Sequence, residues 1–187
     1  MVPVSGQCIA VVSGKGGTGK TSLTAGVGAA LAMMGYRVLC IDCDARLRNL
    51  DLALGLPDRA LMDFSDVLSA RCTLEEAVVS HHKYPSLFLL AAPLAFGSFT
   101  VDREQVKDLM EQIKESFDFC LVDAPAGLGQ GFRMATQEAD HVVVVTTTDV
   151  TALRDAQRTV MELERFPTGQ VHLVVNRVAK KLMKQLH

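Results

Sequence analysis

The chain has 187 residues, one domain on a prior of roughly 150 residues each, and its 49% apolar and 21% charged content excludes a disordered protein. Trp is absent, aromatics are 5% and the net charge is −2, which argues against a stacking platform for single strands and against a dedicated DNA binder. No apolar run approaches the roughly 18 residues that span a bilayer, no basic residue precedes Lys15 to open a secretory signal, and five cysteines suit reduced thiols in the cytoplasm.

Gln7–Val12 is an apolar run that ends at a glycine cluster and reads as a buried strand. Residues 21–35, rich in Ala, Leu and Met, predict a helix stopped by Gly35. Residues 37–42 and 87–92 follow as strands. Val106, Leu109, Met110, Ile113 and Phe117 give helical spacing over 102–116. Phe119–Asp123 and His141–Thr147 are strands, a helix runs to about Arg165, and Val171–Asn176 is a sixth strand. Continuously apolar strands alternating with helices predict an α/β fold, a mainly parallel sheet with helices on both faces in three layers. In such sheets ligands bind beyond the carboxyl ends of the strands. Polar residues directly after strands are therefore the candidates for chemistry.

Gly14-Lys15-Gly16-Gly17-Thr18-Gly19-Lys20-Thr21 fits GxxxxGK[ST] between a strand and a helix, the context a phosphate loop requires. Its glycines let backbone N–H groups of Gly14, Gly16, Gly17, Thr18 and Gly19 turn toward phosphate oxygens, and the helix start at Thr21 and Ser22 adds a positive dipole. Lys20 can reach the β- and γ-phosphates of ATP, and the Thr21 hydroxyl can serve Mg²⁺. Lys15, a second lysine inside the loop, is a cation that could stabilise charge during phosphoryl transfer. Asp42 and Asp44 close the second strand and Asp123 the fourth. A strand-end Asp beside a phosphate loop can hold Mg²⁺, here Asp123 with Thr21. Gly127, in Asp123-Ala124-Pro125-Ala126-Gly127, permits a backbone N–H to approach a γ-phosphate. Asn176, which ends the sixth strand, has the donor–acceptor pair that an adenine edge offers to match.

These motifs resemble the MinD/ParA family of deviant Walker-type ATPases, over nearly the whole chain from Ile9 to Arg177. Leu47-Arg48-Asn49-Leu50-Asp51 resembles its septum-site branch. The resemblance implies a P-loop ATPase that hydrolyses ATP slowly without a stimulating partner and acts as an ATP-dependent homodimer placing the division septum. It implies that Lys15 crosses the dimer interface to the partner's ATP and that Asp44 positions the attacking water. It further implies that Asp123 is the Walker B aspartate and Asn49 a nucleotide or dimer contact, and that Asn176 with Arg177 belongs to the base site. A regulatory protein partner is implied on the helix with Asp155 and Arg158. Attachment to the inner face of the cell membrane is implied too, although no anchor is evident. Family members continue past Asn176-Arg177, so 1–187 is expected to be one P-loop ATPase domain lacking the C-terminal part of the family fold. Its last residues form a short basic, apolar tail (Lys180, Lys181, Leu182, Met183, Lys184 and Leu186) that reads as the start of an ordinary helix.

Arg46 departs from the family, which has Gly there; a side chain at that place is expected to restrict the loop and put turnover in doubt. Cys40 and Cys43, three apart on a strand, face opposite ways and read as core, as do Cys8 and Cys120. His81 and His82 read as loop surface. Three other functions compete. A DNA-binding partition ATPase needs clustered basic residues. An iron–sulfur reductase related to the nitrogenase iron protein needs cysteines on a dimer face. A truncated relic would bind nucleotide without turnover.

Overall fold

Among the described residues, seven strands build one sheet: β1 (Gln7–Val12), β2 (Val38–Asp42), β3 (Val79–Ser80), β4 (Leu87–Leu90), β5 (Phe119–Asp123), β6 (His141–Thr147) and β7 (Val171–Asn176), in the order β3-β4-β2-β5-β1-β6-β7. The structure, a computed structural model, describes residues 5–93 and 102–179. Residues 180–187, where the basic tail was expected to begin a helix, lie outside the described residues. All pairings are parallel except β3 with β4.

The helices are α1 (Lys20–Met33), α2 (Leu50–Ala53), α3 (Phe64–Leu68), α4 (Leu74–Ala77), α5 (Arg103–Ser116), α6 (Gln130–Gln137) and α7 (Val150–Met161). Alternate residues of β2 divide between two cores. Leu39 and Ile41 join Val106, Leu109 and Ile113 of α5 and Ala156 of α7 on one face. Val38 and Cys40 join Ala25 of α1 and Leu50 and Leu54, at the start and just past the end of α2, on the other. This two-sided burial is why the interior strands read as unbroken apolar runs. The contact of α1 with the sheet is close: a Cβ at Gly28 would lie 2.6 Å from Cys40 Sγ.

The long elements follow local signals. Asp102 accepts Glu104 N–H at 3.0 Å to start α5, and Asp149 accepts Thr151 N–H at 2.7 Å to start α7. The α7 helix ends at Met161, earlier than the periodicity to Arg165 predicts, and Leu163 still packs under it in a turn. The short elements α2, α3, α4 and β3 and the eight-residue α6 were not legible from periodicity. For α3 and α4 a signal existed, since Asp63 with Asp66 and Thr73 with Glu76 form reciprocal capping boxes.

Candidate nucleotide site

The carboxyl ends of β1, β5 and β2 meet at a cleft of about 250 Å³. Ten of the predicted residues line it: Gly16, Gly17, Gly19, Lys20, Thr21, Ser22, Asp44, Asn49, Asp123 and Arg177. Leu47 and Ala126 line it as well, and their apolar side chains carry no sequence signal for a site.

The loop from β1 to α1 is shaped by left-handed residues, Gly17 at φ 77° and Gly19 at φ 95°. A Cβ at Gly19 would strike the Asn176 amide, so that position accepts no side chain. Gly19 caps α1 without a side-chain hydrogen bond, and the first turn holds no acid. The N–H groups that open this 14-residue helix are thus unpaired and positively polarised, a ready anion site. Among the described residues, Thr18 Oγ1 is the buried side-chain atom without a hydrogen-bond partner.

Lys20 is 8% exposed and lies near Asp123 and Asp44. Burial lowers its affinity for a proton, and the two carboxylates only partly restore it. Asp123, 2% exposed, is pushed up by burial and pulled back by the Thr21 hydroxyl and by Lys20. Both shifts run against mutual attraction, so loss of water outweighs that attraction here. Thr21 Oγ1 donates to Asp123 Oδ2 at 2.6 Å, and Thr24 Oγ1 reaches Asp123 Oδ1 at 3.4 Å. A hydroxyl beside a carboxylate is a hard-oxygen donor set that suits Mg²⁺, an ion that keeps several waters.

The loop after β2 is organised by Asp42. Its Oδ1 accepts Asp44 N–H at 2.8 Å and its Oδ2 accepts Leu50 N–H at 3.2 Å, so one buried carboxylate ties both ends of the loop. Burial nonetheless raises this carboxyl to about 6. Asp44 Oδ1 in turn accepts Arg46 N–H at 3.1 Å and Leu47 N–H at 3.2 Å. The expected restriction at Arg46 does not arise: the left-handed residue of this loop is Arg48, at φ 44°. A side chain is strained two positions further on, at Arg48, and not at Arg46.

Five predicted residues lie off the cleft lining. Lys15 Nζ donates to Thr151 Oγ1 at 2.9 Å and pairs with Asp149 Oδ2 at 3.6 Å, so within one chain it rests on the start of α7. Gly14 packs against Asp155 of α7 so closely that a Cβ would lie 2.5 Å from its carbonyl oxygen. Gly127, left-handed at φ 88°, donates its N–H to Ser13 O at 3.1 Å. Asn176 Nδ2 donates to Thr18 O at 2.9 Å, and its Oδ1 accepts Arg177 N–H at 2.8 Å. That amide ties β7 to the phosphate loop, leaving one N–H and one lone pair for a base. Thr18 itself points its hydroxyl into the interior.

The cysteine expectation holds for the core. Cys40 and Cys43 are buried in opposite clusters, and burial pushes Cys40 up to about 12 and Cys43 well above its ordinary value, as for inert thiols. The expectation for His81 does not hold: it is 8% exposed. Residues 82–84 turn back onto it, which composition does not reveal.

Comparison with known proteins adds to this geometry. Residues 6–172 match the family described as AAA domain. The chain is 43% identical to the septum site-determining protein MinD of Synechocystis over 178 residues, 95% of this chain and 67% of that protein. It is 40% identical to its Bacillus subtilis counterpart over 181 residues, 96% of this chain and 68% of that protein. The chain thus spans about two thirds of the length of these relatives. Among solved structures it is similar to the MinC:MinD cell division protein complex of Aquifex aeolicus, with TM-score 0.85 and 40% identity over 96% of this chain and 72% of that one. It is also similar to the septum site-determining protein of Pyrococcus horikoshii complexed with Mg-ADP, with TM-score 0.78 and 28% identity over 96% of this chain and 76% of that one.

Proposed function

This chain belongs to the MinD/ParA family of P-loop ATPases, and from that premise we propose that it is an ATP-binding, slowly ATP-hydrolysing dimerisation switch for placing the division septum. The observation that carries this reading is the uncapped start of α1 beside the partly dehydrated Lys20 and the Thr21–Asp123 pair.

The N–H groups of Gly16, Gly17 and Gly19 and of the first turn at Thr21 and Ser22 cradle the phosphates, and Lys20 supplies a point charge. Thr21 and Asp123 hold Mg²⁺, which neutralises phosphate charge when bound. Asp44, its side chain fixed by its own turn, orients the attacking water. Gly127 N–H leaves Ser13 O to meet the γ-phosphate. Asn49, Asn176 and Arg177 bound the nucleotide from the loops after β2 and β7.

In the dimer Lys15 leaves Asp149 and Thr151 for the ATP of the second subunit. The ion pair is exposed and screened by water, so the exchange is easy. Hydrolysis is weak alone and is raised by a protein partner on α7, near Asp155 and Arg158. The Aquifex relative, solved as a MinC:MinD complex, supports such a partner. No helix among the described residues is long and apolar enough to cross a membrane, so membrane attachment in this reading is peripheral. Residues 1–187 act as one nucleotide-binding unit.

The test is the solution mass with Mg-ATP against Mg-ADP, repeated with Lys15→Ala. A dimer that forms only with ATP and is lost in the variant is the expected result. A monomer in both states, or a dimer indifferent to nucleotide, would sink the switch.

A further inference from the structure

His81 sits at the turn between β3 and β4, in the primary structure far from every motif above. Its ring is buried and its hydrogen-bonding capacity is fully used. Nδ1 accepts two backbone N–H groups, from Lys83 at 3.0 Å and Tyr84 at 3.1 Å. That nitrogen carries no proton, so the ring proton is on Nε2, which donates to Leu54 O at 2.9 Å. His81 N–H donates to Leu87 O at 2.8 Å, fixing the residue to β4. The ring also stacks on His82, with centroids 4.7 Å apart.

Leu54 caps the carboxyl end of α2. A four-residue helix is too short to hold itself, because nucleation uses up the gain of its few bonds. This one is held from outside at both ends, by Asp42 at Leu50 N–H and by His81 at Leu54 O. Immediately before it lies the loop that brings Asp44, Leu47 and Asn49 to the cleft.

We propose that His81 is a positioning residue for the nucleotide site: its bond to the Leu54 carbonyl holds α2, and through α2 the loop bearing Asp44, Leu47 and Asn49. The proposal rests on the nucleotide reading of the cleft. Burial also makes the ring harder to protonate, in keeping with a neutral imidazole as the working form.

Two substitutions separate the bonds of the ring. His81→Asn keeps an acceptor where Nδ1 lies but cannot reach Leu54. His81→Gln keeps a donor where Nε2 lies but loses the turn. Binding of Mg-ADP to the full chain is measured beside hydrogen exchange of residues 44–56 without nucleotide. His81→Asn should weaken binding about five- to tenfold, the worth of about one buried hydrogen bond, and speed exchange in 44–56. His81→Gln should restore both to within about twofold of the parent. Wild-type affinity in His81→Asn overturns the proposal. So does an equal loss in both variants, or faster exchange spread evenly over the sheet. A parent chain that binds no Mg-ADP sinks the nucleotide reading itself, whereas parent binding with an unaltered His81→Asn sinks the latch alone.

Discussion

Strands β2 and β7 are both short, apolar and parallel to their neighbours, yet they live in different solvents. All five residues of β2 are buried. None of the six in β7 is, and Leu173 and Val175 are 58% and 41% exposed. The difference is position. β2 lies between β4 and β5 under helices on both faces, whereas β7 has a neighbour on one side only, β6, among the described residues. Burial then decides what each strand end can do. Asp42 at the end of β2 is desolvated and organises a loop; Asn176 at the end of β7 works from a half-exposed place.

The sharpest test of this contrast is truncation. Ile41→Ala, at a position with no exposure, should cost about 2–5 kcal/mol, read by urea denaturation. Leu173→Ala on β7 should cost under about 0.5 kcal/mol in the same assay. Similar losses would break the comparison. At the interior end of the cleft, Lys20→Ala should weaken Mg-ADP by about 1.5–3 kcal/mol, or roughly ten- to 150-fold in affinity, with little change in unfolding. A binding isotherm that matches the parent would remove Lys20 from the site.

Asp42 adds a pH test. Its carboxyl is raised by burial from 3.8 to about 6, so the folded chain holds that proton more tightly than the unfolded one. Its contribution to stability is therefore full below about 3.8 and lost as pH rises through about 6. The stability of the parent relative to Asp42→Asn should then drop by on the order of 1–3 kcal/mol between pH 4 and pH 7. A pH-independent difference would mean that the carboxyl is not desolvated. Last, Asn176→Ala should cost about 1 kcal/mol by freeing the Thr18 carbonyl, with the loss seen in thermal unfolding.

Much of the fold was legible because its causes are local. The strand bounds Gln7–Val12, Phe119–Asp123, His141–Thr147 and Val171–Asn176 coincide with apolar runs, and α5 with its spacing. Six-residue runs do not say which strand is interior, so the exposed face of β7 was hidden. The short helices α2 and α4 lack a full period to detect. In the site, the phosphate loop and the strand-end acids were visible as motifs. Leu47 and Ala126 were not, since apolar residues near a nucleotide look like any others.

The amino-acid sequence by itself determined the phosphate loop, the acids at the strand ends and the alternation of strand and helix. These depend on bonds and periodicities within a few residues. Only the tertiary structure decided that Lys15 rests on Thr151, 136 residues away, that Asn176 ties to Thr18 across 158 residues, and that His81 reaches back 27 residues to Leu54. Such contacts exist only once the sheet order brings distant strand ends together, and no local propensity encodes that order.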